Sequence, residues 1–209
     1  MPEQPVSEQL VPEQPVSDPM TGPADAVPTS GGQLTFDFSV GAEEWSALSG
    51  VWRVVDGSYR QLDDSGYDFA SYLLDEVVTD YELRVRMRAL DGGLLNAGVM
   101  LNRPSGSDRA GTTMLDLTER GSFLRWGHFD ENGRYTYVGG VPVTRAGDPT
   151  RWVDLRVAVR AGTGLVWLDD EYVGEFPIFS DAGRIGLVTS VAAVEFDDVV
   201  LTPNAPEEG

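Results

Sequence analysis

From residue 34 to residue 201 apolar and polar side chains alternate in short runs separated by turn residues, the period-two signature of half-buried β-strands. Residues 80–88 show it most cleanly, with Tyr81, Leu83, Val85 and Met87 on one face and Glu82, Arg84, Arg86 and Arg88 on the other. Residues 152–160 repeat it, with Val153, Leu155, Val157 and Val159 inward. Residues 34–38 set Leu34, Phe36 and Phe38 against Thr35 and Asp37, and residues 51–55 and 58–62 flank Asp56-Gly57, a tight-hairpin dipeptide. Further strands are predicted at 69–74, 97–102, 112–118, 122–129, 135–138, 165–169 and 171–176. No window of a dozen residues carries a 3.6-residue apolar period, so little helix is expected. About twelve to fourteen short, evenly spaced strands indicate an all-β, two-sheet antiparallel sandwich or jelly roll.

The last two strands are predicted at 183–189 and 194–201, both rich in β-branched and aromatic residues. Counting alternate positions puts Val194, Phe196, Asp198 and Val200 on one face, which places a carboxylate on an apolar row. A carboxylate so placed needs a backbone amide, an arginine or a bound cation as partner.

Residues 1–32 differ in kind. Pro2-Glu-Gln-Pro-Val-Ser-Glu-Gln-Leu-Val11 is followed by Pro12-Glu-Gln-Pro-Val-Ser-Asp-Pro-Met20, a ten-residue unit used twice, and the segment holds five acids and no base. Such a composition buries too little surface to offset its ordering entropy and predicts a disordered or polyproline-like spacer. The sharper alternative is a segment that pairs with a neighbouring subunit's sheet edge, giving self-assembly through residues 1–32. The expected organisation is therefore a Pro-rich acidic tail over 1–32, a sandwich over 33–203 and a short tail over 204–209.

Composition narrows the function classes. The 209 residues carry 34 acids against 15 bases, all of them arginine, for a net charge of −19. That surface repels nucleic-acid phosphate and anionic lipid, so neither nucleic acid nor membrane insertion is expected. With no cysteine, disulfides and thiol chemistry are excluded. No apolar run approaches the roughly 20 residues that span a bilayer, and the first 20 residues lack a signal peptide's basic start and apolar centre. The expected location is extracellular or at the cell surface if a leader was removed, and cytoplasmic otherwise.

Several pieces together resemble the concanavalin A-like lectin/glucanase jelly rolls, nearest to laminin-G-like and 3-keto-disaccharide-hydrolase type domains. The matching text is Trp52-Arg-Val-Val-Asp-Gly57, Tyr81-Glu-Leu-Arg-Val-Arg86, Ala97-Gly-Val-Met-Leu101, Trp152-Val-Asp-Leu-Arg-Val157, Val166-Trp-Leu-Asp169, the stretch 183–187 and Phe196-Asp-Asp-Val199. These are fold positions rather than chemistry. The resemblance implies two curved sheets with sugar on the concave face, and a structural calcium where first and last strands meet. By position, that calcium would fall to Asp37 with Asp197 or Asp198, since calcium takes carboxylate and carbonyl oxygens. The glucanases' acid motif is absent, because Glu76-Val-Val-Thr-Asp-Tyr-Glu82 has the wrong spacing and straddles a turn.

The concave face is expected to present Arg86, Asn102, Asp116 and Arg125, with Tyr137 as a stacking platform. Asp116 is also the candidate catalytic base. The row Arg84, Arg86, Arg88 either pairs with acids on neighbouring strands or grips an acidic glycan. His128, the single histidine, shares a face with Trp126 and cannot build a multi-histidine metal site. If Arg125 faces water, Leu124 and Trp126 face the core. These residues point to a non-catalytic, lectin-like module that binds carbohydrate or a surface partner. The alternatives are a sugar hydrolase of the 3-keto-disaccharide type and a structural subunit of an extracellular assembly.

Overall fold

A computed structural model describes residues 32–144 and 148–203; the expected tails over 1–32 and 204–209 lie, Gly32 apart, outside these residues. Among them the strands are, in chain order, β1 Leu34–Phe36, β2 Trp45–Ala47, β3 Trp52–Val55, β4 Ser58–Gln61, β5 Phe69–Leu73, β6 Tyr81–Ala89, β7 Ala97–Arg103 and β8 Thr113–Thr118, followed by β9 Phe123–Phe129, β10 Tyr135–Pro142, β11 Val153–Arg160, β12 Thr163–Leu168, β13 Glu171–Pro177, β14 Arg184–Thr189 and β15 Val194–Pro203. One short 3-10 turn, Glu119–Gly121, joins β8 to β9. The first sheet runs β13-β12-β11-β6-β15-β4-β3, with β1 beside β15, and the second runs β10-β9-β8-β7-β14-β5-β2. The jelly-roll sandwich expected from the alternation is the fold.

The sheets close on a core built from their inward rows. Tyr81, Leu83, Val85 and Met87 of β6 meet Val153, Leu155, Val157 and Val159 of β11 on the first sheet, and Val99, Leu101, Leu115, Leu117 and Leu124 supply the second. Each such aliphatic or aromatic side chain, fully buried, contributes about 1.5–3 kcal/mol. Trp126 packs on this core and lies 5.9 Å from Phe176 of the opposite sheet, so Leu124 and Trp126 face inward while Arg125 faces out. His128 is also inward, with its ring stacked 3.9 Å from Phe179.

The expected apolar row of β15 is corrected at Asp198. The register between β15 and β6 shifts between Asp197 and Val200, and Asp198 has a φ of 47°. This β-bulge inserts one residue, so the core row becomes Val194, Phe196, Val199 and Leu201. Asp198 turns outward, and its carboxylate accepts a hydrogen bond from Arg86 Nη1 at 2.6 Å. An arginine is among the three partners considered for it.

A second bulge corrects Asn102. The pairing of β14 with β7 shifts between Arg184 and Gly186, and Asn102 has a φ of 52°. Its side chain therefore leaves the outer row for the interior, where it accepts from the Tyr81 hydroxyl at 2.8 Å and donates to the Ser180 carbonyl at 2.7 Å. Asn102 is 1% exposed and serves packing rather than the surface. Strand β2 was not expected; three residues are too few for an alternation to register.

Candidate functional site

The two outward faces differ. On the first sheet, arginines and acids interleave. Arg86 pairs with Asp198 and lies 3.4 Å from Asp154, and Arg84 bonds Glu82. Arg60 and Arg88 both clamp Glu195, which is 1% exposed, and Ser58 donates to the same carboxylate. Arg86 and Arg88 also sit over the Trp152 ring, with centroid distances of 4.9 and 4.4 Å. The arginine row is thus compensated by acids, most of them on neighbouring strands. Arg86, expected beside Asp116, is on the opposite side of the sandwich, because β6 belongs to the first sheet and β8 to the second.

The central strands of the second sheet, β7, β8 and β14, are buried on both faces. The sheet's outward side carries Ala70, Tyr72, Met100, Met114, Phe129 and Val188, with Tyr135 packed against them. The two tyrosine rings lie flat because glycine leaves room beneath them. A Cβ on Gly127 would fall 2.7 Å from the Tyr135 ring, and one on Gly186 would fall 2.6 Å from the Tyr72 ring. Guanidinium groups then cover rings: Arg103 over Tyr72 at 4.4 Å, Arg125 over Tyr135 at 5.3 Å and Arg109 over Phe129 at 5.7 Å.

Asp116 of β8 stands directly opposite Arg125 of β9 on this face. Arg125 Nε donates to both carboxylate oxygens, at 2.9 and 3.1 Å, and Nη2 donates to Oδ2 at 3.0 Å. Asp116 is 2% exposed, and burial pushes its carboxyl up to about 6 against the pull of Arg125. Burial acts to lower Arg125, yet the hydrogen bonds and charge of Asp116 raise it on balance. Nearby, Asp68 accepts from Ser190 Oγ at 3.1 Å and lies 3.7 Å from Arg109, whose Nη2 also donates to the Asp68 carbonyl at 2.8 Å.

The hydroxyls of Tyr72, Thr112 and Tyr135 on this face are buried; those of Tyr72 and Thr112 lie within hydrogen-bonding reach of each other, and Tyr135 lies beside the Asp116–Arg125 pair. Burial pushes both phenols up to about 12, so they hold their protons at ordinary pH and remain donors. Tyr137, cross-strand from Gly127, extends the same face at its edge and is 57% exposed. Of the five expected binding residues, Asp116, Arg125 and Tyr137 come together here, while Arg86 and Asn102 do not. Tyr72, Arg103, Arg109, Thr112 and Asp68 complete the cluster without having been singled out from sequence. The legible signal was glycine inside predicted strands, at 98, 127 and 186.

Asp37 and Asp197 are near enough for their charges to interact, but Asp37 Oδ1 accepts from Ser39 N and Oγ, and Asp198 is held by Arg86. No group of three or more carboxylate, histidine or cysteine side chains placed to hold a metal occurs among the described residues. Calcium takes six to eight oxygens, carbonyls included, and two of the three expected aspartates are engaged within the chain, Asp37 by Ser39 and Asp198 by Arg86. Among the described residues no helix is long and apolar enough to cross a membrane.

One family's sequence pattern, described as the 3-keto-alpha-glucoside-1,2-lyase-like domain, matches residues 33–202. The chain belongs to this family. No curated protein matches it in sequence. Among solved structures, this 3-keto-alpha-glucoside-1,2-lyase-like domain is similar to the carbohydrate binding module CBM66 from Bacillus subtilis, with 17% identity and a TM-score of 0.64, over 76% of this chain and 95% of that one. It is similar to a Bacillus subtilis protein with a galectin-like fold, at 12% identity and a TM-score of 0.60, over 82% and 96%. It is also similar to the Bacillus licheniformis β-glucanase, at 11% identity and a TM-score of 0.59, over 85% and 100%. At these identities the likeness is one of fold.

Proposed function

We propose that the chain is a non-catalytic carbohydrate-binding module whose ligand lies on the outward face of the second sheet. The supporting observation is that the part-exposed guanidinium of Arg125, fixed by the buried Asp116, and the exposed ring of Tyr137 share this face. A polyol supplies hydroxyl oxygens for the one and a C–H face for the other. Arg125 retains N–H groups beyond those given to Asp116, and Tyr137 offers an exposed ring for the C–H face of a sugar. CBM66 is by its name a carbohydrate binding module of the same fold, which agrees with this reading.

The state of the carboxylates supports binding without cleavage. Glycoside hydrolysis uses two, one giving a proton and one free to attack or to activate water. Both oxygens of Asp116 are engaged by Arg125, and Asp68 is engaged by Ser190 and Arg109. One observation favours the second reading, a sugar-cleaving enzyme: a carboxyl at about 6 is suited to proton transfer near neutrality. The two are separated by incubating the full chain with a panel of polysaccharides and α-glucosides, 3-keto sugars included, and assaying bound protein and released sugar in the same tubes. The binding module retains protein on at least one glycan and releases nothing. Release that tracks protein concentration and disappears in Asp116→Asn would establish the enzyme. An assembly role would rest on residues 1–32, which lie, Gly32 apart, outside the described residues.

A further inference from the structure

The charge of the second sheet's outward face is the reverse of the whole chain's. The chain holds 34 acids against 15 bases, yet this face carries Arg103, Arg109, Arg125 and Arg184 against the carboxylates of Asp68 and Asp116. Both carboxylates are taken, Asp116 by Arg125 and Asp68 by Arg109. Of the acids at the rim, Asp130 accepts from the backbone amides of Asn132 and Arg134, and Asp108 is exposed on the loop before β8.

Arg103 and Arg184 form no ion pair among the described residues, and they are direct cross-strand partners on β7 and β14. Ile185 is buried in the core, so Arg184 beside it points outward. Arg103 points the same way, because its guanidinium covers the outward-facing Tyr72 ring at 4.4 Å. Its Nε donates to the Ser107 carbonyl at 2.7 Å, which fixes the group and leaves the two Nη nitrogens for a ligand. Like charges directly opposite on a strand pair repel, and an anion between them removes the repulsion. A carboxylate suits the place, since its two oxygens match the forked N–H groups of guanidinium.

We propose that the glycan bound on this face is acidic, with a uronic-acid carboxylate held between Arg103 and Arg184. The proposal rests on the reading of the face as a sugar site and names the class of sugar. Strand geometry also sets the ligand's length. Arg125 is level with Gly98 of β7 through Asp116, whereas Arg103 lies beyond the Asn102 bulge at the other end of that strand. At about 3.3 Å per residue and about 4.8 Å per strand, roughly 15 Å or more separates the two arginines. A ring stacked on Tyr137 and a carboxylate at Arg103 therefore belong to an oligosaccharide, not to one sugar. The chain's net charge does not oppose this: at about 0.15 M salt, charges more than about 8 Å away are largely screened, and arginines in contact are not.

The test is isothermal titration of the full chain with oligosaccharides of polygalacturonate, alginate and glucuronoxylan, each beside its carboxyl-reduced, neutral form. At least one acidic form should bind about tenfold or more tightly than its reduced form, the worth of a charged hydrogen bond. Arg184→Gln, which leaves Arg103 in place over Tyr72, should bring the acidic form down to the affinity of the reduced one, and Arg103→Gln should do the same. Urea unfolding of both variants shows that the fold is kept. A reduced form that binds as well as the acidic one, or an acidic form that binds both variants undiminished, overturns the acidic assignment and leaves the sugar face standing. So does a chain that retains a neutral glycan and none of the acidic ones. An acid preference lost in Arg86→Ala but kept in Arg184→Gln moves the carboxylate to the first sheet and also overturns the proposal. A chain that binds no glycan of either kind overturns the sugar reading beneath it.

Discussion

Asp116 ties the proposed site to a pH dependence that can be worked out. Its carboxyl is pushed from an ordinary 3.8 up to about 6 by burial, against the opposing pull of Arg125. A folded state that holds a proton more tightly than the unfolded chain is most stable when that proton is on. The contribution is therefore fully present below about pH 3.8 and is lost as pH rises through about 6. The loss amounts to about 3 kcal/mol. Other carboxyls titrate over the same range, so the measurement is a difference between the unaltered chain and Asp116→Asn, which removes this titration while keeping the side chain's shape. Urea unfolding followed by tryptophan fluorescence from pH 4 to pH 7.5 gives both stabilities. Across that window Asp116→Asn should gain about 2–3 kcal/mol relative to the unaltered chain, with the midpoint of the change near about pH 5 and the change nearly complete by about pH 6. A flat difference would mean that burial and pairing cancel. A difference that runs the other way would mean that pairing with Arg125 holds the carboxyl below its ordinary value, and the reasoning about the buried pair would be wrong.

Other expectations follow from particular contacts. Gly127→Ala should lose about 1–3 kcal/mol in urea unfolding, because its Cβ would meet the Thr136 carbonyl at 2.3 Å as well as the Tyr135 ring. Glu195→Gln leaves Arg60 and Arg88 facing each other and should cost about 3 kcal/mol. Arg86→Ala, which breaks a partly exposed pair, should cost under about 1 kcal/mol; equal losses for the two would contradict the assignment of Glu195 as the buried centre of that network. Chelation with EDTA should leave the thermal midpoint unchanged, and a midpoint that rises with added calcium would show Asp198 leaving Arg86 to join Asp37 and Asp197.

The alternation of residues 80–88 and 152–160 was enough to place β6 and β11, because one face of the first sheet is core and the other is charged. The same signal fails for the second sheet. Residues 97–101 and 113–117 are buried on both faces, so they read as apolar runs and do not say which side chains share the Asp116 surface. Two single-residue bulges, at Asn102 and Asp198, then turned a correct strand assignment into a wrong face, since one inserted residue reverses every later position. The placing of Arg86 beside Asp116 failed for a different reason. Strand order across two sheets is a long-range property, and nothing in β6 or β8 alone announces which sheet each joins.

The central claim is that sugar lies on the second sheet's outward face, and isothermal titration of one glycan retained in the panel tests it most directly. The chains compared are the unaltered protein, Tyr137→Ala, Arg125→Lys and Arg86→Ala. Loss of a stacking ring should weaken binding by about five- to tenfold, and replacing the forked guanidinium of Arg125 should weaken it further. Arg86→Ala, on the opposite face, should bind as the unaltered chain does. If Arg86→Ala loses affinity while Tyr137→Ala and Arg125→Lys retain it, the ligand lies on the first sheet and the proposed site is wrong.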